Sequence, residues 1–226
     1  AATLLRELPY RRAAVLADSY AGVFPPGFEG RVFRNLGVCE TGLLSGHLLA
    51  GCRAANVTIV DVYDAAIASF PQVAFASIHG KCDSSQMLFY KAAALGSGKS
   101  ADLRPQEFAQ SALTIFKRLN RNPNFISYLL TSGQHVYMNG AFPFNIDVAA
   151  FRLNQSRRGP SASKAAATDN WLDAAGGVRD WLSQLPVPEG GRAQSKCQLL
   201  DAEHMAVSGC PPGPDHCDPA LATKVF

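Results

Sequence analysis

Three short apolar runs constrain this chain more than any other feature: Ala13-Ala14-Val15-Leu16-Ala17, Val73-Ala74-Phe75-Ala76-Ser77-Ile78 and Phe125-Ile126-Ser127-Tyr128-Leu129-Leu130. Each has the length of a strand, and each is nearly continuous in apolar residues rather than alternating. Runs of that kind suit strands buried on both faces of a parallel sheet. Each closes on polar residues: Asp18-Ser19-Tyr20, His79-Gly80-Lys81-Cys82-Asp83 and Thr131-Ser132-Gly133-Gln134-His135. Parallel neighbours need long crossovers, usually helical, and the stretches between the runs have helical character.

The clearest helix is expected from Pro105, which suits a first helical position, with Glu107 in the first turn. Phe108, Ala112, Ile115, Phe116 and Leu119 follow at helical spacing, and Asn122-Pro123-Asn124 ends the segment. A second helix is expected from about Ser84 to Ala94, with Met87, Phe89, Tyr90 and Ala93 facing inward. Thr58 is placed to cap a third, running to about Phe70, with Asp61 in its first turn and Val62, Ala65, Ala66 and Phe70 as its stripe. The β-branched residues 57–60 equally fit a strand. Residues 3–9 read as the end of a helix closed by Pro9. Residues 35–52 read as a helical or irregular connection broken by Gly42, Gly46 and Gly51.

Beyond residue 130 the pattern weakens. Residues 151–168 read as a Ser-, Arg- and Ala-rich surface loop, followed by a helix or helix pair marked by Trp171, Leu172, Val178, Trp181 and Leu182. Two regions are therefore expected: an α/β domain over 1–186, a parallel sheet flanked by helices, and an irregular Pro-, Gly- and Cys-containing tail over 187–226. With 226 residues, 47% of them hydrophobic, the chain is long enough for one sizeable core. Its net charge of +3 comes without a basic stripe, which argues against a nucleic-acid partner. No apolar run reaches the roughly 18 residues of a membrane span.

Six cysteines and the sequons Asn56-Val57-Thr58 and Asn154-Gln155-Ser156 favour a secreted or cell-wall protein with disulfides. The spacings Cys39/Cys52 and Cys210/Cys217 allow local bridges, although connectivity does not follow from spacing. Free buried cysteines are the plainer alternative.

Chemistry is expected where strands end, since the carboxyl edge of a parallel sheet gathers functional residues. Asp83 stands a few residues past the second run and His135 a few residues past the third. If those strands are neighbours, the carboxylate and the imidazole converge. Asp83 would then fix the His135 tautomer, and His135 would act as general base to a nucleophile. Both residues also have plainer readings. Asp83 precedes Ser84-Ser85, where a helix N-cap is natural, and a lone histidine is commonly an ordinary surface or core residue. Asp18 is the second acid candidate, although hydrogen bonding to the nucleophile turn from a neighbouring strand is its expected role.

The residues also carry a resemblance. Val15-Leu16-Ala17-Asp18-Ser19-Tyr20-Ala21-Gly22-Val23-Phe24 resembles the strand and loop after the nucleophile helix of pectin acetylesterases and Notum-type carboxylesterases. Phe70-Pro71, Phe75-Ala76 and Asp83-Ser84-Ser85-Gln86 are similar to the strand that leads to that family's catalytic Asp. Ser132-Gly133-Gln134-His135 resembles its histidine segment, and Val178-Arg179-Asp180-Trp181-Leu182 its late helix. The resemblance runs in patches over about 1–185 and implies that the domain over 1–186 is a partial α/β-hydrolase-like parallel sheet flanked by helices.

It implies a Ser-His-Asp carboxylesterase that removes acyl groups, acetyl above all, from small-molecule or polysaccharide esters, with no cofactor and no metal. The family's G-C-S-A-G-G-like serine motif is absent, and Tyr20 and Ala21 depart from the family pattern. The nucleophile is accordingly expected upstream of Ala1, and this chain alone is expected to be inactive. Tyr20 and Phe24 would line the acyl or sugar site, or simply pack at the surface.

Three alternatives compete. A GDSL-type esterase would use Ser19 with His204 of Asp201-Ala202-Glu203-His204, but Pro25-Pro26-Gly27 leaves little room for the helix such a serine needs. A zinc site from Cys197, His204, Cys210, His216 and Cys217 lacks paired-ligand spacing. An inactive carbohydrate-binding or orphan module of the same fold is the non-enzymatic alternative.

Overall fold

The structure, a computed structural model, describes residues 2–11, 13–130, 133, 135 and 136, together with the backbone of 196–197. Its centre is a parallel sheet in the order β1 (Ala14–Asp18), β2 (Ala74–Gly80), β3 (Phe125–Leu130) and β4 (Lys196–Cys197). The three apolar runs thus form strands, and in chain order they are neighbours. Asp18 pairs with Ile78, and Gly80 with Leu130, so all three carboxyl ends finish at one edge. The central strands β2 and β3 are almost wholly buried, whereas β1 is half-buried.

Helices fill the crossovers. Between β1 and β2 lie α2 (Phe28–Asn35), a 3-10 turn (Val38–Glu40), α3 (Gly46–Arg53) and α4 (Ile59–Ser69). Between β2 and β3 lie α5 (Ser84–Gly96) and α6 (Pro105–Leu119), and α1 (Ala2–Glu7) precedes the sheet. The α6 stripe of Phe108, Ala112, Phe116 and Leu119 is buried as its spacing requires, and Ala109 and Leu113 widen it. Phe75 and Phe125 meet that stripe in one core, with Tyr63 set edge-on to both rings at 6.0 and 5.9 Å. Buried Asn124 ties α4 to the start of β3. Its amide donates to the carbonyls of Ile67, Phe70 and Val73 at 2.9–3.1 Å, across the last turn of α4, its cap and the turn that follows.

Several local expectations change. Residues 57–60 begin a helix rather than a strand, because Thr58 and Asp61 form a reciprocal capping box. The buried residues of α4 are Val60 and Ile67, not Val62, Ala65 and Ala66, because the helix turns a different face to the sheet. Phe89 of α5 is 52% exposed rather than inward, while Gln86 is buried. Helix α2 has no counterpart among the expected elements. Gly30 lets it touch the loop after α3: a Cβ there would lie 2.2 Å from the Ala55 carbonyl oxygen.

The tail, expected to hold little regular structure, contributes the two-residue β4, paired through Tyr128 with Lys196 and Leu129 with Cys197. The loop 151–168, the helix around Trp171 and Trp181 and the rest of the tail lie outside the described residues.

Cys39 and Cys52 are bridged, pinning the 3-10 turn to α3 beside Leu44 and Val57. Cys82 is disulfide-bonded as well. Among the described residues no helix is long and apolar enough to cross a membrane.

Candidate active site

β2 delivers Asp83 through the short turn Lys81-Cys82, and Asp83 caps α5. Its Oδ1 accepts from the Gln86 N–H at 2.9 Å. Its Oδ2 lies 2.8 Å from His135 Nδ1, beyond the end of β3. The N-cap reading of Asp83 and its expected contact with His135 therefore combine, since one oxygen closes the helix and the other holds the imidazole. Asp83 is fully buried and the His135 side chain is 27% exposed. Burial raises the Asp83 carboxyl above its ordinary range, opposed by the N–H groups of Gln86 and Ser85 and by His135. Because a carboxylate only accepts, His135 Nδ1 is assigned the proton, and Nε2 is the nitrogen left for a reacting group.

The His135 segment is tied down on both sides. Ser84, in the first turn of α5, donates its N–H and its hydroxyl to the Gly133 carbonyl, each at 3.1 Å. Ser19 at the end of β1 accepts the Val136 N–H on its Oγ at 2.8 Å and donates that hydroxyl to Asp18 Oδ1 at 2.9 Å. The Ser19 carbonyl accepts from Gln86 Nε2 at 2.8 Å. Ser19 and Gln86 thus join the ends of β1, β2 and β3. The sequence offers Ser19 only as the nucleophile of the GDSL alternative. In the fold it is fully buried with its hydroxyl engaged on both sides, and His204 lies outside the described residues. Asp18 ends β1, which β2 separates from the β3 end that leads to His135, and its carboxylate bonds Ser19.

Phe89 stands edge-on to His135 with ring centroids 6.1 Å apart, an exposed apolar wall beside the imidazole. Tyr20, Phe24 and Phe28 form a ladder that leads away from Ser19, with centroids 6.3 and 5.6 Å apart. Burial, with the nearby Glu29 carboxylate, pushes the Tyr20 hydroxyl up to about 12.

Behind the pair, His79 is fully buried between Phe108 and Phe116, and neither ring nitrogen has a partner among the described residues. Burial lowers its pKa to about 3, with the nearby His135 adding to the shift. His79 is therefore neutral and places no competing charge beside His135. Its position inside an apolar strand gives no signal beyond its spelling.

Among the described residues no cluster of three or more His, Cys, Asp or Glu is placed to hold a metal. The candidate zinc ligands His204, Cys210, His216 and Cys217 lie outside the described residues, as does the side chain of Cys197. A cavity of about 500 Å³ lies among His47, Asp61, Asp64, Arg118 and Asn122 and shares no residue with the Asp83–His135 pair. Its carboxylates are already bonded by Arg118, Thr58 and Asn122. Comparison with protein-family models, with curated proteins and with solved structures returns no match for this chain.

Proposed function

We propose that Asp83 and His135 are the acid and the base of a Ser-His-Asp carboxylesterase of the pectin acetylesterase and Notum type. The observation that carries this reading is the 2.8 Å contact between Asp83 Oδ2 and His135 Nδ1 at the carboxyl ends of adjacent parallel strands. The nucleophile is a serine outside the described residues. On the family resemblance it precedes Ala1.

His135 Nε2 takes the serine proton as the serine oxygen attacks the ester carbonyl carbon. The tetrahedral intermediate then expels the alcohol, which receives that proton from His135, and an acyl-enzyme remains. Water attacks next, giving its proton to His135, and the carboxylic acid and free serine are released. Asp83 holds the Nδ1–H and stabilises the transient imidazolium. Phe89 supplies an apolar face beside the imidazole, which suits a small acyl group on a sugar. The two sequons and the disulfides fit a secreted or cell-wall enzyme.

The test is turnover of p-nitrophenyl acetate and of acetylated pectin by the natural full-length protein. The expected result is acetate release that His135→Ala abolishes. Absence of turnover with retained polysaccharide binding would replace the enzyme with an inactive binding module.

A further inference from the structure

Only three non-glycine residues among those described adopt positive φ: Ser19 at 60°, Ala55 at 58° and Val136 at 66°. Side chains other than glycine, asparagine and aspartate rarely occupy that region, and a β-branched valine least of all. Two of the three bond each other, since the Val136 N–H donates to Ser19 Oγ at 2.8 Å. Strain of this kind persists only where the surroundings over-determine it, and it gathers at functional sites.

The surroundings of Ser19 do over-determine it. Its N–H donates to the Ile78 carbonyl at 2.8 Å, its carbonyl accepts from Gln86 Nε2 at 2.8 Å, and its hydroxyl donates to Asp18 Oδ1. The Gln86 N–H in turn donates to Asp83 Oδ1, and Asp83 Oδ2 holds His135. Chain and hydrogen bonds close a circuit: Ser19, Gln86, Asp83, His135, Val136 and back to Ser19. The left-handed turn at Ser19 aims Oγ across the sheet edge at the backbone one residue past His135.

We infer that Ser19 is a positioning residue. Its hydroxyl fixes the backbone at Val136 and so sets the His135 imidazole against Asp83. Its burial and its two hydroxyl partners suit this role and leave no face of the oxygen for substrate. The inference rests on the proposed esterase only for its kinetic consequence, because the geometric consequence is read without substrate.

The experiment uses Ser19→Ala and Ser19→Gly in the full-length protein. Both remove the acceptor. The glycine variant also relieves the positive φ, so its Tm is expected to hold or rise. The far-downfield proton resonance of the His135 Nδ1–H shared with Asp83 is expected in the wild type and should be weakened or lost in both variants. If the esterase reading holds, kcat falls about 10²-fold with KM little changed, the size of effect a misplaced catalytic group produces.

An unaltered resonance in Ser19→Gly, or its absence from the wild type, overturns the inference. Failure of both variants to fold also overturns it and leaves Ser19 a structural residue only. Loss of the resonance in variants of a protein that never turns over esters keeps Ser19 as the positioning residue and removes the hydrolase instead.

Discussion

Asp83 divides its carboxylate between two partners, with Oδ1 on the Gln86 N–H at 2.9 Å and Oδ2 on His135 Nδ1 at 2.8 Å. The same side chain closes a helix and orients an imidazole, so its structural and chemical roles are separable by substitution. A serine in place of Asp83 keeps an N-cap oxygen and removes the imidazole contact. We expect Asp83→Ser to melt near the wild type and Asp83→Ala to lose about 1 kcal/mol from the missing cap. Both should lose esterase activity, and His135→Ala should lose at least about 10³-fold. Near-normal turnover by Asp83→Ser or His135→Ala, measured on acetyl esters, would refute the roles assigned to the pair.

Glu29 makes stability depend on pH in a defined direction. Its carboxylate accepts from the Ile59 N–H at 3.0 Å, at the start of α4, and burial pushes its pKa up to about 7. The Ile59 N–H opposes that shift, and the nearby Asp61 carboxylate adds to it. The folded chain therefore holds the Glu29 proton more tightly than the unfolded chain does. This contribution is fully present below the ordinary glutamate range and is lost as pH rises through about 7. Glu29→Gln retains an acceptor for Ile59 without the titration. The wild-type minus Glu29→Gln stability difference should fall between pH 4 and 8 by on the order of 2–3 kcal/mol. A flat difference in denaturant titrations across that range would refute it.

His79 packs as though it were apolar. Both ring nitrogens lack a partner among the described residues, and Phe108 and Phe116 flank the ring at 5.8 and 5.6 Å. Leaving a buried polar group unsatisfied costs about 1–3 kcal/mol. His79→Leu, similar in volume, should raise stability by about that amount. Because the folded pKa is lowered to about 3, the wild type also loses stability as pH falls from the ordinary histidine range toward that value. The variant should lack that part of the acid-side loss. Thermal melts at neutral and acidic pH check both points.

Gly30 is required by proximity rather than by backbone conformation. A Cβ there meets Ala55 backbone atoms at 2.2 and 2.3 Å, where no side chain can swing away. Gly30→Ala must push α2 off the loop after α3, close to the Cys39–Cys52 bridge. A loss of about 3 kcal/mol is expected in chemical denaturation. A loss below about 0.5 kcal/mol, the level of an ordinary surface change, would mean that α2 does not pack there.

Much of the fold was legible because it is governed by local chemistry. The runs at 13–17, 73–78 and 125–130 announce buried strands, and Pro105 with Phe108, Phe116 and Leu119 announces α6. The helix that begins at Ile59 is decided by two side chains, Thr58 and Asp61, which satisfy each other's backbone. Helix α2 was not legible. It follows Pro25-Pro26-Gly27 and contains Gly30, a residue that disfavours helix unless close packing needs it. Phe89 misled for a related reason: helical spacing gives a stripe, but not the angle at which that stripe meets the sheet.

Taken alone, the sequence determined the parallel sheet, its main crossover helices and the two residue types at its carboxyl edge, because periodicity, capping and strand length act within a few residues. Tertiary structure decided that Asp83 and His135 meet, that Ser19 and Gln86 close a circuit around them, and that His79 sits dry behind. Those contacts join positions 50 to more than 100 residues apart. Their geometry depends on strand register and on the backbone turns at Ser19 and Val136, and no spacing along the chain encodes either.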